Sequence, residues 1–230
     1  MPKKIYFNFG PMNSSKTATL IMNHFNYREQ AQNPVILKPV LDNRDGAEPL
    51  VKCRAGLSAS AILFEEKDNL FLLAASLAGA TDRHFDVRVA RFMREMHEEN
   101  PATEHEQLVD FGKSFDKRVD CFLIDEVQFL TEQQAKQLTD IVDYLDIPVL
   151  AFGLRNDFQG NPFPASAFLM ANAEELKESK GICHCKRKAT HVLRVDSNGK
   201  VIREGDQICV GGNDLYHSVC RWHWKAGIYK

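Results

Sequence analysis

A chain of 230 residues can bury one full core and carry a small appendage, and one domain with an accessory unit is expected rather than two full-sized domains. Its formal net charge is -2, with acidic and basic residues mixed along the chain, which leaves no basic footprint for gripping a nucleic-acid polymer. The first thirty residues do not combine a basic start, an apolar run and a small-residue cleavage site. No stretch reaches the roughly 18 apolar residues of a membrane span, so the expectation is a cytoplasmic protein without a membrane partner.

In chain order, Ile5-Tyr6-Phe7-Asn8-Phe9 is an aromatic and β-branched run that stops at Gly10-Pro11. A helical pattern starts after Lys16, which predicts strand, loop and helix. Val35-Ile36-Leu37, after Asn33-Pro34, reads as the second strand of a βαβ unit with a parallel sheet whose faces helices should cover. From about Leu70 to Lys117 apolar and charged residues alternate at helical spacing, as in Phe85, Val89, Phe92 and Met96 beside Arg88, Arg91 and Glu95. That predicts one or two amphipathic helices and a loop, ending near Asn100-Pro101, with no catalytic signature.

The apolar run Cys121-Phe122-Leu123-Ile124 delivers Asp125-Glu126 at its carboxyl end, as a central parallel strand does. Thr131 and Gln134 have capping-box spacing before a helix with Leu138, Ile141, Val142 and Leu145 on its apolar face. Asp146-Ile147-Pro148 ends that helix, and Ile147 to Phe152 reads as another buried strand. From about Lys177 the texture changes to short strands, paired cysteines, a turn at Ser197-Asn198-Gly199 and the pair Gly211-Gly212. The expected organisation is an α/β unit over 1–176, a parallel sheet flanked by helices, followed by an accessory unit over 177–230.

Gly10-Pro11-Met12-Asn13-Ser14-Ser15-Lys16-Thr17 lies between strand and helix, the setting of a phosphate-binding loop. Backbone N–H groups would face the phosphates, Lys16 would reach the β and γ groups, and Thr17 would ligate Mg²⁺. Ser15 stands where a glycine is expected, a position at which a Cβ costs strain or fit. Taken alone, the loop is also compatible with an ordinary strand-loop-helix joint. Asp125 suits a Mg²⁺-holding acid, which leaves Glu126 to accept the proton of an alcohol undergoing phosphorylation. A solvated acidic pair at a strand end is the plainer alternative, and the phosphate loop nearby favours the functional one.

Of six cysteines, Cys53, Cys121 and Cys209 stand apart, whereas Cys183-His184-Cys185 and Cys220-Arg221-Trp222-His223 supply two ligand pairs. Cys183 and Cys185 are too close in sequence for an ordinary disulfide, and clustered cysteines in a reducing compartment suggest metal. Cys183, Cys185, Cys220 and His223 suit tetrahedral Zn²⁺ in a closed, structural site, with His184 and His217 as further candidate donors. Buried free cysteines are the competing reading.

Five blocks taken together resemble the thymidine kinase family of the cellular and bacterial type. They are Gly-Pro-Met-x-x-x-Lys-Thr from Gly10, Leu41-Asp42-Asn43-Arg44, Asp125-Glu126-Val127-Gln128-Phe129, Gly153-Leu154-Arg155-x-Asp157-Phe158, and Gly211-Gly212-Asn213-x-x-Tyr216-His217-Ser218-Val219-Cys220-Arg221. The resemblance implies that ATP phosphorylates thymidine to dTMP, with Glu126 as proton acceptor. It also implies that residues 10 to 17 and Asp125, Val127 and Gln128 line the ATP site, and that Arg44 clamps phosphate. Met12, Phe129, Leu154, Phe158 and Phe163 would wall the thymine pocket, and a lasso around Val210, Gly211, Gly212 and Tyr216, anchored by the zinc unit, would close it. A homotetramer and feedback inhibition by dTTP are implied as well. Two features depart from the family: Ser15, and a segment around 74–118 that is longer than its bacterial counterparts. The alternatives are a kinase for another deoxynucleoside, and a nucleotide-binding protein whose activity Ser15 has weakened.

Overall fold

The computed structural model describes residues 3–42, 48–79, 101–114, 116–207 and 215–230, with 101–104 described in backbone only. The four apolar runs read from the sequence fold into strands, beginning with β1 (Ile5–Phe9) and the helix α1 (Lys16–Glu29). Then come β2 (Pro34–Pro39), a hairpin of β3 (Leu50–Lys52) and β4 (Ser58–Ser60), and β5 (Ile62–Phe64). Helices α2 (Leu70–Gly79) and α3 (Pro101–Lys113) lead to β6 (Cys121–Ile124), a single 3₁₀ turn (Val127–Phe129) and α4 (Glu132–Leu145). After β7 (Val149–Gly153) and α5 (Pro164–Asn172), β8 (Glu175–Glu178) completes a six-stranded sheet ordered β5-β2-β6-β7-β1-β8, parallel at every pairing.

Central strands β6 and β7 are buried along their whole length because both faces of the sheet are covered. Alternate residues feed two cores. Phe122, Ile124, Val149 and Ala151 join α2, α3, α4 and α5 on one face. Cys121, Leu123, Leu150 and Phe152 meet Leu20 and Ile21 of α1 on the other. Helix α4 starts where its capping box predicts: Thr131 Oγ1 accepts from Gln134 N at 3.0 Å, and Gln134 Oε1 accepts from Thr131 N at 3.1 Å. It ends at Asp146, which takes a left-handed conformation.

Two expectations are adjusted. The last buried strand begins at Val149 and extends to Gly153, since Pro148 has no N–H to give a ladder. Pro101 opens a helix where an end was expected, which suits proline because the first helical turn has no intrahelical acceptor for its nitrogen. Phe85, Arg88, Val89, Arg91, Phe92, Glu95 and Met96 lie outside the described residues. In addition, β8 straddles the 176/177 division, so the chain leaves the sheet only after Glu178.

Beyond the sheet, β9 (Gly181–Ile182) pairs with β10 (Lys188–Ala189) in one short hairpin. A second hairpin joins β11 (His191–Val195) to β12 (Val201–Ile202) through the predicted turn, where Asp196 Oδ1 accepts from Asn198 N at 2.9 Å and Lys200 N at 2.8 Å. On the other edge of β11 lies β13 (Tyr216–Val219), followed by α6 (Arg221–Ala226).

Candidate active site

At the carboxyl end of β1, Gly10 N donates to Gly153 O at 3.2 Å. A Cβ on Gly10 would lie 2.3 Å from Ser179 O and 2.6 Å from Ser14 Oγ, so only glycine fits. The loop then turns back on itself: Pro11 O accepts from Ser14 Oγ at 2.8 Å and from Lys16 Nζ at 2.7 Å. Asn13 and Ser15 both sit in the left-handed region, at φ 60° and 61°. This is why a glycine is expected at position 15, and the serine adopts the same turn with its side chain exposed and without capping α1.

Parallel pairing of β2 with β6 puts Asp125 beside the loop, with Asp125 N donating to Leu37 O at 3.0 Å. Thr17 Oγ1 lies 3.4 Å from Asp125 Oδ2, so the two residues expected to hold Mg²⁺ face each other. Glu126 is buried and left-handed at φ 51°, a conformation unusual for glutamate and of the kind that persists at functional sites. Leu154 N can only donate, and its 2.9 Å bond to Gln128 Oε1 turns the amide so that Nε2 donates to Glu126 Oε2. The carboxylate is thereby aimed by a relay that starts on the backbone after β7. Gly153 leaves room for it, since a Cβ there would meet Val127 Cγ2 at 2.6 Å and Gln128 Oε1 at 2.7 Å.

These groups open into one cavity of about 650 Å³. It brings together Met12, Asn13, Ser14, Ser15, Lys16 and Thr17 with Asp125, Glu126 and Gln128. Phe129, Leu154, Phe158, Phe163 and Tyr216 supply its apolar walls. Of the other expected site residues, Gly10 and Pro11 support the loop from behind, and Val127 is buried in the core beneath Gly153. Arg44, Val210, Gly211 and Gly212 lie outside the described residues.

Sequence reasoning passed over the tip of the β3–β4 hairpin, where Lys52, Cys53, Arg54 and Ala55 reach the cavity, and also Val192 and Gln207. Asp157 lines the cavity too, but its oxygens are occupied: Oδ1 accepts from Gln159 N at 2.9 Å and Asn161 N at 2.8 Å, and Oδ2 from Gln207 Nε2 at 2.8 Å. It therefore shapes the loop that presents Phe158. Trp224 of α6 steadies the same loop, donating from Nε1 to Phe158 O at 2.9 Å.

Cys183, Cys185, Cys220 and His223 place their donor atoms within 4.8 Å of one another. A tetrahedral Zn²⁺ with bonds of about 2.3 Å to sulfur and about 2.0 Å to nitrogen requires edges of about 3.8 Å between sulfurs and about 3.5 Å from sulfur to nitrogen. Cys185 and Cys220 sulfurs are 3.8 Å apart, and His223 Nδ1 is 3.3 Å from Cys183 Sγ and 3.5 Å from Cys220 Sγ, so the donor set is compatible with zinc. Desolvation, with His184 and Arg187 nearby, lowers the His223 pKa and favours the neutral ring a metal needs. Of the further donor candidates, His184 lies beside the cluster with Nδ1 3.7 Å from Cys183 Sγ, whereas His217 is stacked on Tyr229. Cys121 is different in kind: burial raises its pKa to about 12, leaving an inert thiol in the sheet.

A parallel sheet with a phosphate loop after its first strand and an acidic pair after a neighbouring one defines a nucleotide-binding P-loop protein. The thymidine kinase family model matches residues 3–98 and 77–224, two stretches that overlap at residues 77–98. A thymidine kinase of Rhodopirellula baltica is 41% identical over 227 residues, covering 99% of this chain and 90% of the relative. Thymidine kinases of Vibrio vulnificus and Vibrio cholerae are each 40% identical, covering 99% and 98% of both partners respectively. The chain belongs to the thymidine kinase family.

Proposed function

We propose that this protein is an ATP-dependent thymidine kinase that transfers the γ-phosphate to the 5′-hydroxyl of thymidine, giving dTMP. The observation that carries this reading is that one cavity joins the phosphate loop and the buried acidic pair to an aromatic wall suited to a flat base. Backbone N–H groups of residues 12–17 and the Lys16 ammonium bind and orient the triphosphate. Phe129, Leu154, Phe158, Phe163 and Tyr216 exclude water and hold the thymine, so that its sugar hydroxyl faces Glu126. Glu126, aimed by Gln128, accepts the hydroxyl proton as the oxygen attacks phosphorus. Thr17 and Asp125 would hold Mg²⁺, which neutralises phosphate charge when bound.

In the same reading Arg44 clamps phosphate, and Val210, Gly211 and Gly212 close over the base together with Tyr216. Residues 1–176 form the kinase unit and 177–230 the zinc and lasso unit. Zn²⁺ held by Cys183, Cys185, Cys220 and His223 is structural, because four protein donors leave no open position for a reacting water. We also infer a homotetramer, as the resemblance to the family implies, and inhibition by dTTP, which presents the same base with added phosphates. No helix among the described residues is long and apolar enough to cross a membrane; a cytoplasmic site of action is part of the same proposal. The test is ADP formation by purified protein with ATP, Mg²⁺ and each nucleoside in turn. Thymidine should give the highest kcat/KM, and equal rates with every pyrimidine nucleoside would defeat the thymidine assignment.

A further inference from the structure

The alternation of β13 places Tyr216, Ser218 and Cys220 on one side of the chain, two residues apart. Each meets a different part of the molecule. Tyr216 lines the main cavity, Cys220 belongs to the thiol and imidazole cluster, and Ser218 Oγ donates to Met12 O at 2.7 Å, across 206 positions of sequence. Register fixes this arrangement, since Ser218 is paired to Val192 and Tyr216 to Arg194 of β11.

Met12 O matters because it leads into the strained tip of the phosphate loop. Asn13 and Ser15 are both left-handed; asparagine tolerates this conformation but serine disfavours it, so the tip is strained at Ser15. The contacts of Pro11 O come from within the loop, from Ser14 and Lys16. Ser218 holds the loop from outside. Packing brings the two units close enough for this: a Cβ on Gly181 of β9 would lie 2.9 Å from Pro11 Cγ, and Ser179 N donates to Phe9 O at 2.7 Å.

We propose that Ser218 is a positioning residue for nucleotide binding, fixing the tip of the phosphate loop through Met12 O and tying that loop to the metal-binding unit through β13. The inference rests on the kinase reading for its substrate, but its first test does not need turnover. ADP affinity is measured by calorimetry on intact, metal-loaded wild type, Ser218→Ala and Ser218→Thr, with zinc content determined on the same samples. Loss of one hydrogen bond of ordinary strength predicts about fivefold weaker ADP binding for Ser218→Ala, while Ser218→Thr, which keeps the hydroxyl, stays within about twofold of wild type. Zinc content remains unchanged, and in turnover the KM for ATP rises more than kcat falls. Ser218→Ala binding ADP as tightly as wild type overturns the proposal. So does loss of affinity in step with loss of zinc, which makes the serine a structural residue of the metal unit. A wild type that binds ADP but leaves thymidine unphosphorylated would count against the kinase reading alone.

Discussion

Replacing Ser15 by glycine tests how the phosphate loop works without its expected glycine. Ser15 holds φ 61° and ψ 20°, a conformation that costs a non-glycine residue roughly 1–2 kcal/mol. Its exposed side chain makes no capping bond to α1, so removing the side chain forfeits no cap. Glycine releases the left-handed strain but restores about 0.4–1 kcal/mol of freedom to the unfolded chain. The difference leaves Ser15→Gly more stable by about 0.5–1 kcal/mol, or about 1–4 °C in Tm for a chain of this size. Because the serine already takes the left-handed turn, the loop geometry should be unchanged and kcat/KM for ATP should move by less than about threefold. Differential scanning calorimetry and steady-state kinetics on the same preparations decide the matter. A lower Tm would refute the strain argument, and a gain in kcat/KM of about a hundredfold would show that Ser15 disables the loop.

Further outcomes are expected. Glu126→Gln should lower kcat by about 10²–10⁴-fold, the range for loss of a general base, while ADP affinity measured by calorimetry stays within about twofold of wild type. Gly153→Ala forces a Cβ to within 2.6 Å of Val127 Cγ2 and 2.7 Å of Gln128 Oε1. Overpacking of this kind costs about 1–3 kcal/mol, seen as a fall in urea midpoint at unchanged m-value, and kcat should fall as the Glu126 relay is displaced. Chelation of the metal, or Cys220→Ser, should lower Tm and expose the Trp224 indole, followed by fluorescence and by zinc content. Burial, reinforced by Arg155 and Arg221, lowers the His191 pKa, so the unfolded chain takes up the proton first. Its contribution to stability is complete above the ordinary value of 6.5 and is lost as pH falls from there through the lowered folded value, and His191→Gln should flatten that decline in urea midpoints below pH 7.5.

Where sequence signals were local, they could be read directly. The β1 run, the loop, the apolar strand before Asp125 and the Thr131 capping box each carry their information within a few residues, and the fold forms each where it was read. Cysteine spacing likewise anticipated the four-donor cluster. Features built by packing were hidden. Strand β8, Glu-Leu-Lys-Glu, pairs along one side only, at the sheet edge, and needs no apolar pattern, so nothing in its composition marked it. Lys52, Cys53, Arg54 and Ala55 reach the cavity because a hairpin folds over it, and no periodicity announces that. The left-handed Glu126 and the bond from Ser218 to Met12 depend on contacts across the fold, beyond any window of sequence.

The most direct measurement is the rate of ADP formation with ATP, Mg²⁺ and thymidine, compared between wild type and Glu126→Gln. Thymidine-dependent turnover in the wild type, reduced at least a hundredfold in the variant with ADP binding retained, is what the account predicts. Equal turnover in the two proteins would remove Glu126 as proton acceptor, and no thymidine-dependent turnover from folded, zinc-loaded wild type would contradict the central claim.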